Sequence, residues 1–163
     1  MIFFCDDIGY NYANQLHKLE RLKKRYPQFK VNCSVIAKYL DDDLIGWLQK
    51  DWVEVVVHGY EHGPIPECEL SEREDRIKKA LAVLRPLLPE KFGFRAPGFQ
   101  MTASTYPILR ESGFWYIAHQ TRIQPLKQID RYEQDRIVNS HIYDKLNYEF
   151  KEETRFKFAS EGF

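Results

Sequence analysis

The chain has 163 residues, and its 24 basic and 24 acidic side chains cancel to a formal net charge of zero. That balance supplies no field to gather nucleic acid or an anionic membrane surface, so neither is an expected partner. With 44% apolar residues the composition is that of a globular protein, and the length suits one domain spanning residues 1–163, large enough to hold a core without staples.

Met1 runs straight into an apolar stretch, Ile2 to Cys5, that reads as a strand. It leaves no room for a basic and apolar leader, so a cytoplasmic location is expected. An amphipathic helix is predicted from Tyr12 to Tyr26, a strand from Lys30 to Ile36, a helix from Asp42 to Lys50 and a strand from Trp52 to Val57. Ser71-Glu-Arg-Glu74 has the form of a capping box opening a helix that runs to Leu87. Phe92 to Arg95 reads as a strand and Thr102 to Glu111 as a helix, with Pro107 a possible kink and Ser112-Gly113 its stop. Phe114 to Ala118 and Arg136 to Asn139 complete the strands. Cys5, Cys33 and Cys68 are odd in number and lack C-x-x-C spacing, which suggests neither a disulfide framework nor a cysteine zinc site.

Strands separated by helices imply parallel pairing through right-handed crossovers, and Val53 to Val57 is apolar enough to be buried on both faces. In such α/β folds ligands gather at the carboxyl ends of the strands, and those ends are polar here. Asp6 and Asp7 end the first strand, His58 and His62 follow the third, Arg95 ends the fourth and His141 follows the sixth. Alternation points adjacent carboxylates in different directions, so one can bind a metal while the other faces a reacting water. His58 and His62 are four apart, and a helical first turn would place both imidazoles on one ion. With Asp7 they form a three-ligand set that leaves a position open for water.

The run His58-Gly-Tyr-Glu61-His62 also matches H-x-x-E-H, the inverted zinc-peptidase signature, in which Glu61 would be the base. Gly63-Pro64 stops any helix there, which disfavours that reading. Arg95 could clamp a neighbouring carboxylate, and a backbone amide after Pro97-Gly98 could donate to an oxyanion. His141 is the natural candidate for a general acid. His17 looks like a surface residue, and His119 fits either a strand-end site residue or a core histidine.

Phe4-Cys-Asp6-Asp7, His58-Gly-Tyr-Glu-His62, Phe94-Arg95-Ala-Pro97-Gly98 and the late His141 resemble, in order and spacing, the polysaccharide deacetylases of the NodB-homology type, carbohydrate esterase family four. The resemblance spans residues 1 to about 143. It implies an α/β fold, a distorted (β/α) barrel of about six to seven parallel strands, either incomplete or closed by the Tyr148 to Phe158 tail. It also implies a divalent metal, zinc or else cobalt or nickel, held by Asp7, His58 and His62. Asp6 is then the general base, Arg95 its partner, the Gly98 amide an oxyanion donor and His141 the general acid. The expected substrate is an N-acetylated carbohydrate. Ile8 stands where the family usually has glycine, and the family's D-x-x-x-W segment has no clear counterpart. The lost acidic partner of His141 keeps a glycan-binding module without turnover in view.

Overall fold

The computed structural model describes residues 1–9, 12–63, 70–126, 137–140 and 148–162. Among the described residues seven strands form one sheet: β1 (Ile2–Ile8), β2 (Val31–Val35), β3 (Val53–Val57), β4 (Gly93–Phe94), β5 (Tyr116–Ala118), β6 (Ile123–Pro125) and β7 (Ile137–Ser140). Their order across the sheet is β6-β5-β4-β3-β2-β1-β7. Every pairing is parallel except β5 with β6, so six parallel strands curl into a half-barrel with an antiparallel strand at one edge. Four helices, α1 (Ala13–Arg25), α2 (Asp42–Leu48), α3 (Leu70–Leu84) and α4 (Thr105–Glu111), connect them.

The two faces of the sheet carry different chemistry, as the period of two requires. On one face Phe3, Cys5, Cys33, Val35, Val55, Val57, Phe94 and Ile117 pack against apolar residues of all four helices, among them Leu19, Leu44, Ile77 and Leu109. The other face is the concave interior of the half-barrel. A smaller cluster there, including Ile2, Phe4, Val56, Tyr116 and Ala118, shares the space with buried Asp6, Asn32, Ser34, Glu54 and Arg95. Buried polar groups need partners, and the carboxyl-terminal segment supplies several. Ala159 N donates to Asn32 Oδ1 at 2.7 Å, Ser160 N donates to Glu54 Oε1 at 3.0 Å, and the Ser160 hydroxyl pairs with Glu54 Oε2. Tyr116 adds a 3.2 Å bond to the same carboxylate. Burial raises the pKa of Glu54 against the opposing effect of these bonds.

Several local expectations change. β1 continues through Asp6 and Asp7 to Ile8 instead of ending at Cys5. β6 was not expected, because Ile123-Gln-Pro125 is short and contains a proline; Pro is tolerated on an edge strand, where β6 lies. α3 begins at Leu70, so Ser71 lies inside the helix instead of capping it, and Glu74 pairs with Lys78. Pro107 makes no kink, since it falls in the first turn of α4, where its missing N–H breaks no helical bond. The stop at Ser112-Gly113 is as expected, with Gly113 at φ 87° donating to Arg110 O. The tail adds one isolated bridge, Lys157 to Ile2, and no strand, so among the described residues the sheet stays open. Instead, Tyr148, Phe150 and Phe156 stack in an aromatic cluster with Phe3 and Phe29, which places part of the 15% aromatic content in the core. Among the described residues no helix is long and apolar enough to cross a membrane.

Candidate metal and catalytic site

A defect in β1 sets the direction of the second carboxylate, while Asp6 follows Ile2 and Phe4 into the interior. Cys5 pairs with Cys33 and Ile8 with Val35, so three steps on β1 match two on β2 and the strand bulges between them. Asp7 takes up the extra length at φ 62°, a left-handed conformation uncommon outside glycine. Asp6 turns into the interior, 1% exposed, and Asp7 turns to the rim. Bulges of this kind re-aim side chains beside active sites, and simple alternation would not have produced the same pair of directions.

His58 follows β3, while His62 lies within a bent stretch, residues 60–63. Gly59 sits at φ 93°, and no helical turn joins the two histidines. The expected helical spacing is therefore replaced by a loop, which still brings the rings to 5.6 Å between centroids. The loop is held to the end of β2 by Ala37 N to Gly59 O (3.1 Å) and Lys38 N to Tyr60 O (2.9 Å). Glu61 is exposed and pairs with Lys38 at 3.2 Å, so the inverted-peptidase geometry, which needs a helix and an inward glutamate, is not present.

Asp7 Oδ1 lies 3.0 Å from His58 Nε2 and 3.0 Å from His62 Nε2. His58 Nδ1 is 2.7 Å from the carbonyl of Arg95, an acceptor only, so Nδ1 carries the proton and donates it. In the neutral ring Nε2 is then a lone pair facing a carboxylate lone pair. Two acceptors at that separation repel unless a cation lies between them. One ligand atom from each of Asp7, His58 and His62 falls within 4.8 Å of the others, a set able to hold a divalent ion through two nitrogens and an oxygen. The Arg95 carbonyl orients His58 as an outer partner orients a metal-bound imidazole.

Arg95, fully buried, organises the other half of the site. Its Nε donates to Asp6 Oδ1 at 2.6 Å and its Nη2 to Asp6 Oδ2 at 3.0 Å, a bidentate clamp. Nη1 donates to the His119 carbonyl at 2.7 Å. The Ser34 hydroxyl donates to Asp6 Oδ1 at 2.6 Å. Ser34 is a site residue that the sequence reading missed, although two polar residues, Asn32 and Ser34, on one face of a buried strand were a visible signal. With Asp6 balanced by Arg95, the Asp7 carboxylate is the surplus negative charge beside the two imidazoles.

Gly98, at φ 60°, is exposed in the Pro97–Phe99 turn that follows β4. His119 pairs its Nε2 with Gln124 Oε1 at 3.1 Å, and burial lowers its pKa, so the ring is neutral at pH 7. Its backbone carbonyl, more than its side chain, serves the site. His17 is exposed on α1, 3.8 Å from Glu20. His141, the expected acid, lies outside the described residues.

No protein-family sequence model matches the chain, and no curated protein sequence does. Solved structures do. A family 4 carbohydrate esterase from Streptomyces lividans aligns over 89% of this chain and 79% of its own, with 12% identity and a TM-score of 0.64. The chitin deacetylase of Colletotrichum lindemuthianum aligns over 86% of this chain and 72% of its own, with 19% identity and a TM-score of 0.64. A family 4 carbohydrate esterase pseudoenzyme from Bacillus anthracis aligns over 99% of this chain and 64% of its own, with 15% identity and a TM-score of 0.66. The fold of this chain is that of the family 4 carbohydrate esterases and polysaccharide deacetylases.

Proposed function

We propose that this protein is a metal-dependent deacetylase that hydrolyses the acetamide of an N-acetylated carbohydrate. The observation that carries this reading is the convergence of Asp7, His58 and His62 beside a second carboxylate, Asp6, that Arg95 and Ser34 hold by hydrogen bonds. A divalent ion on the Asp7, His58 and His62 set, with zinc suiting the donors best and cobalt or nickel as alternatives, supplies Lewis acidity toward a water and an acetyl carbonyl.

Asp6 accepts the proton of the attacking water. Arg95 and Ser34 fix the direction of its carboxylate, so the base meets substrate without reorganising. The Gly98 amide, on the exposed turn after β4, donates to the oxygen that gains charge as the carbonyl becomes tetrahedral. His141 protonates the departing amine. Deacetylation of a sugar amide needs a base, an oxyanion donor and an acid, and the resemblance assigns these roles to Asp6, the Gly98 amide and His141.

Acetate release from N-acetylglucosamine oligomers by zinc-loaded protein tests the reading, with Asp6→Asn and Glu61→Gln in parallel. The expected result is turnover in wild type and Glu61→Gln, and a loss of about 10²–10⁴-fold in Asp6→Asn with zinc retained. Turnover lost in Glu61→Gln and kept in Asp6→Asn would reverse the assignment. A second reading is a glycan-binding domain without turnover. It is favoured by the absent D-x-x-x-W segment and by the similarity to the Bacillus anthracis pseudoenzyme. Saturable binding of the oligomers with no acetate released would select it.

A further inference from the structure

We propose that Phe99 is a positioning residue of this site: its ring covers the Arg95 guanidinium, keeping bulk water from that group and holding the plane that serves both Asp6 oxygens. The catalytic part of this inference rests on Asp6 being the base; the structural part does not.

The guanidinium is planar, with donors only around its edge. That edge is engaged by Asp6 through Nε and Nη2 and by the His119 carbonyl through Nη1. Two aromatic rings pack against its carbon centre. Phe4 lies 4.4 Å from Cζ and Phe99 lies 4.6 Å from it. Phe4 belongs to the buried interior, whereas Phe99 is only half-buried, so Phe99 is the ring that stands between the guanidinium and solvent.

The backbone beneath Phe99 is strained. Gly98 and Phe99 have φ of 60° and 58°, and Gln100 N closes the turn on Pro97 O at 3.3 Å. Turns with two central residues at positive φ strongly favour glycine or asparagine. A phenylalanine at the second position opposes that preference, and its ring contact with Arg95 is the compensation the structure offers.

The test compares Phe99→Ala, Phe99→Gly and Phe99→Tyr with wild type. The first readout is solvent exchange of the Arg95 Nε–H in ¹⁵N NMR spectra of the zinc-loaded protein, which needs no turnover. Exchange is expected to quicken at least about tenfold in Phe99→Ala and Phe99→Gly and to stay near wild type in Phe99→Tyr. Exchange within twofold of wild type in Phe99→Ala overturns the proposal. The second readout is kcat for acetate release, expected to fall about 10- to 100-fold in Phe99→Ala and Phe99→Gly alike and to return in Phe99→Tyr.

Glycine relieves the positive φ, so Phe99→Gly is expected to melt higher than Phe99→Ala. A purely structural role would make exchange and kcat follow that melting order, and recovery of both in Phe99→Gly would also overturn the proposal. Should wild type release no acetate, the deacetylase reading fails, and the exchange rates alone decide the role of Phe99.

Discussion

Replacing Asp6 by asparagine isolates the ion pair at the centre of the site, because the two side chains have nearly the same shape. Asp6 is 1% exposed, Arg95 is 0% exposed, and they are joined at 2.6 and 3.0 Å. An asparagine can accept from Ser34 and Arg95 Nε through its oxygen, but its amide then faces Nη2, donor against donor. Flipping the amide moves the conflict to Nε. Either way a buried guanidinium loses its counter-charge, which typically costs about 3–5 kcal/mol. The aromatic faces and the His119 carbonyl remain, which places the cost near the lower end, about 3 kcal/mol. At roughly 2–4 °C per kcal/mol for a chain of this size, the melting temperature falls by about 10 °C. Urea unfolding of the chelator-treated protein, followed by circular dichroism, measures the cost without a contribution from bound metal. Zinc titration of the same variant should show affinity close to wild type, since Asp7, His58 and His62 are untouched. A stability change under about 0.5 kcal/mol, the range of ordinary surface substitutions, would refute the buried pairing.

The two histidines should separate in a similar experiment. His58→Ala and His62→Ala both lower zinc affinity, but His58→Ala also strips the Arg95 carbonyl of its donor and is expected to cost about 1–3 kcal/mol by urea unfolding. His62 is half exposed, so His62→Ala should stay within about 0.5 kcal/mol. Glu54 has its pKa raised in the folded state, chiefly by burial, so its contribution is fully present while it is protonated and is lost as pH rises through that raised value. Glu54→Gln, which can keep the acceptor for Ser160 N and Tyr116, should therefore gain stability relative to wild type between pH 4 and pH 7 in urea midpoints. Gly93→Ala would put a methyl 2.0 Å from the Tyr116 ring, and overpacking of that kind costs about 1–3 kcal/mol or more, measured as a lowered melting temperature.

Much of the fold follows from local pattern. The apolar runs around Phe3, Cys33 and Val55 could only be buried strands, and the amphipathic stretches between them forced parallel crossovers. Strand ends in such a fold are where polar residues collect, so Asp6, Asp7, His58, His62 and Arg95 could be picked out as neighbours from order along the chain. Their geometry was decided by tertiary structure. Asp6 follows Ile2 and Phe4 into the interior by alternation, but the bulge that turns Asp7 to the rim depends on pairing with β2, a partner more than 20 residues away in sequence. The four-residue spacing of His58 and His62 read as a helical turn, yet the loop is set by Gly59 at positive φ and by bonds to the turn after β2.

Ser34 and Phe99 lie outside every motif: Asn32 and Ser34 mark one polar face of a buried strand without naming a role for either, and an aromatic after a glycine has no local signature. They acquire meaning only when the sheet brings Asp6 and Arg95, 89 residues apart in the chain, into one hydrogen-bonded pair. Sequence alone determined which residue types stand at the strand ends and in what order. The curvature of the sheet, the bulge and the burial of Arg95 decided which of them touch, since direction and desolvation are properties of the packed interior and not of any single segment.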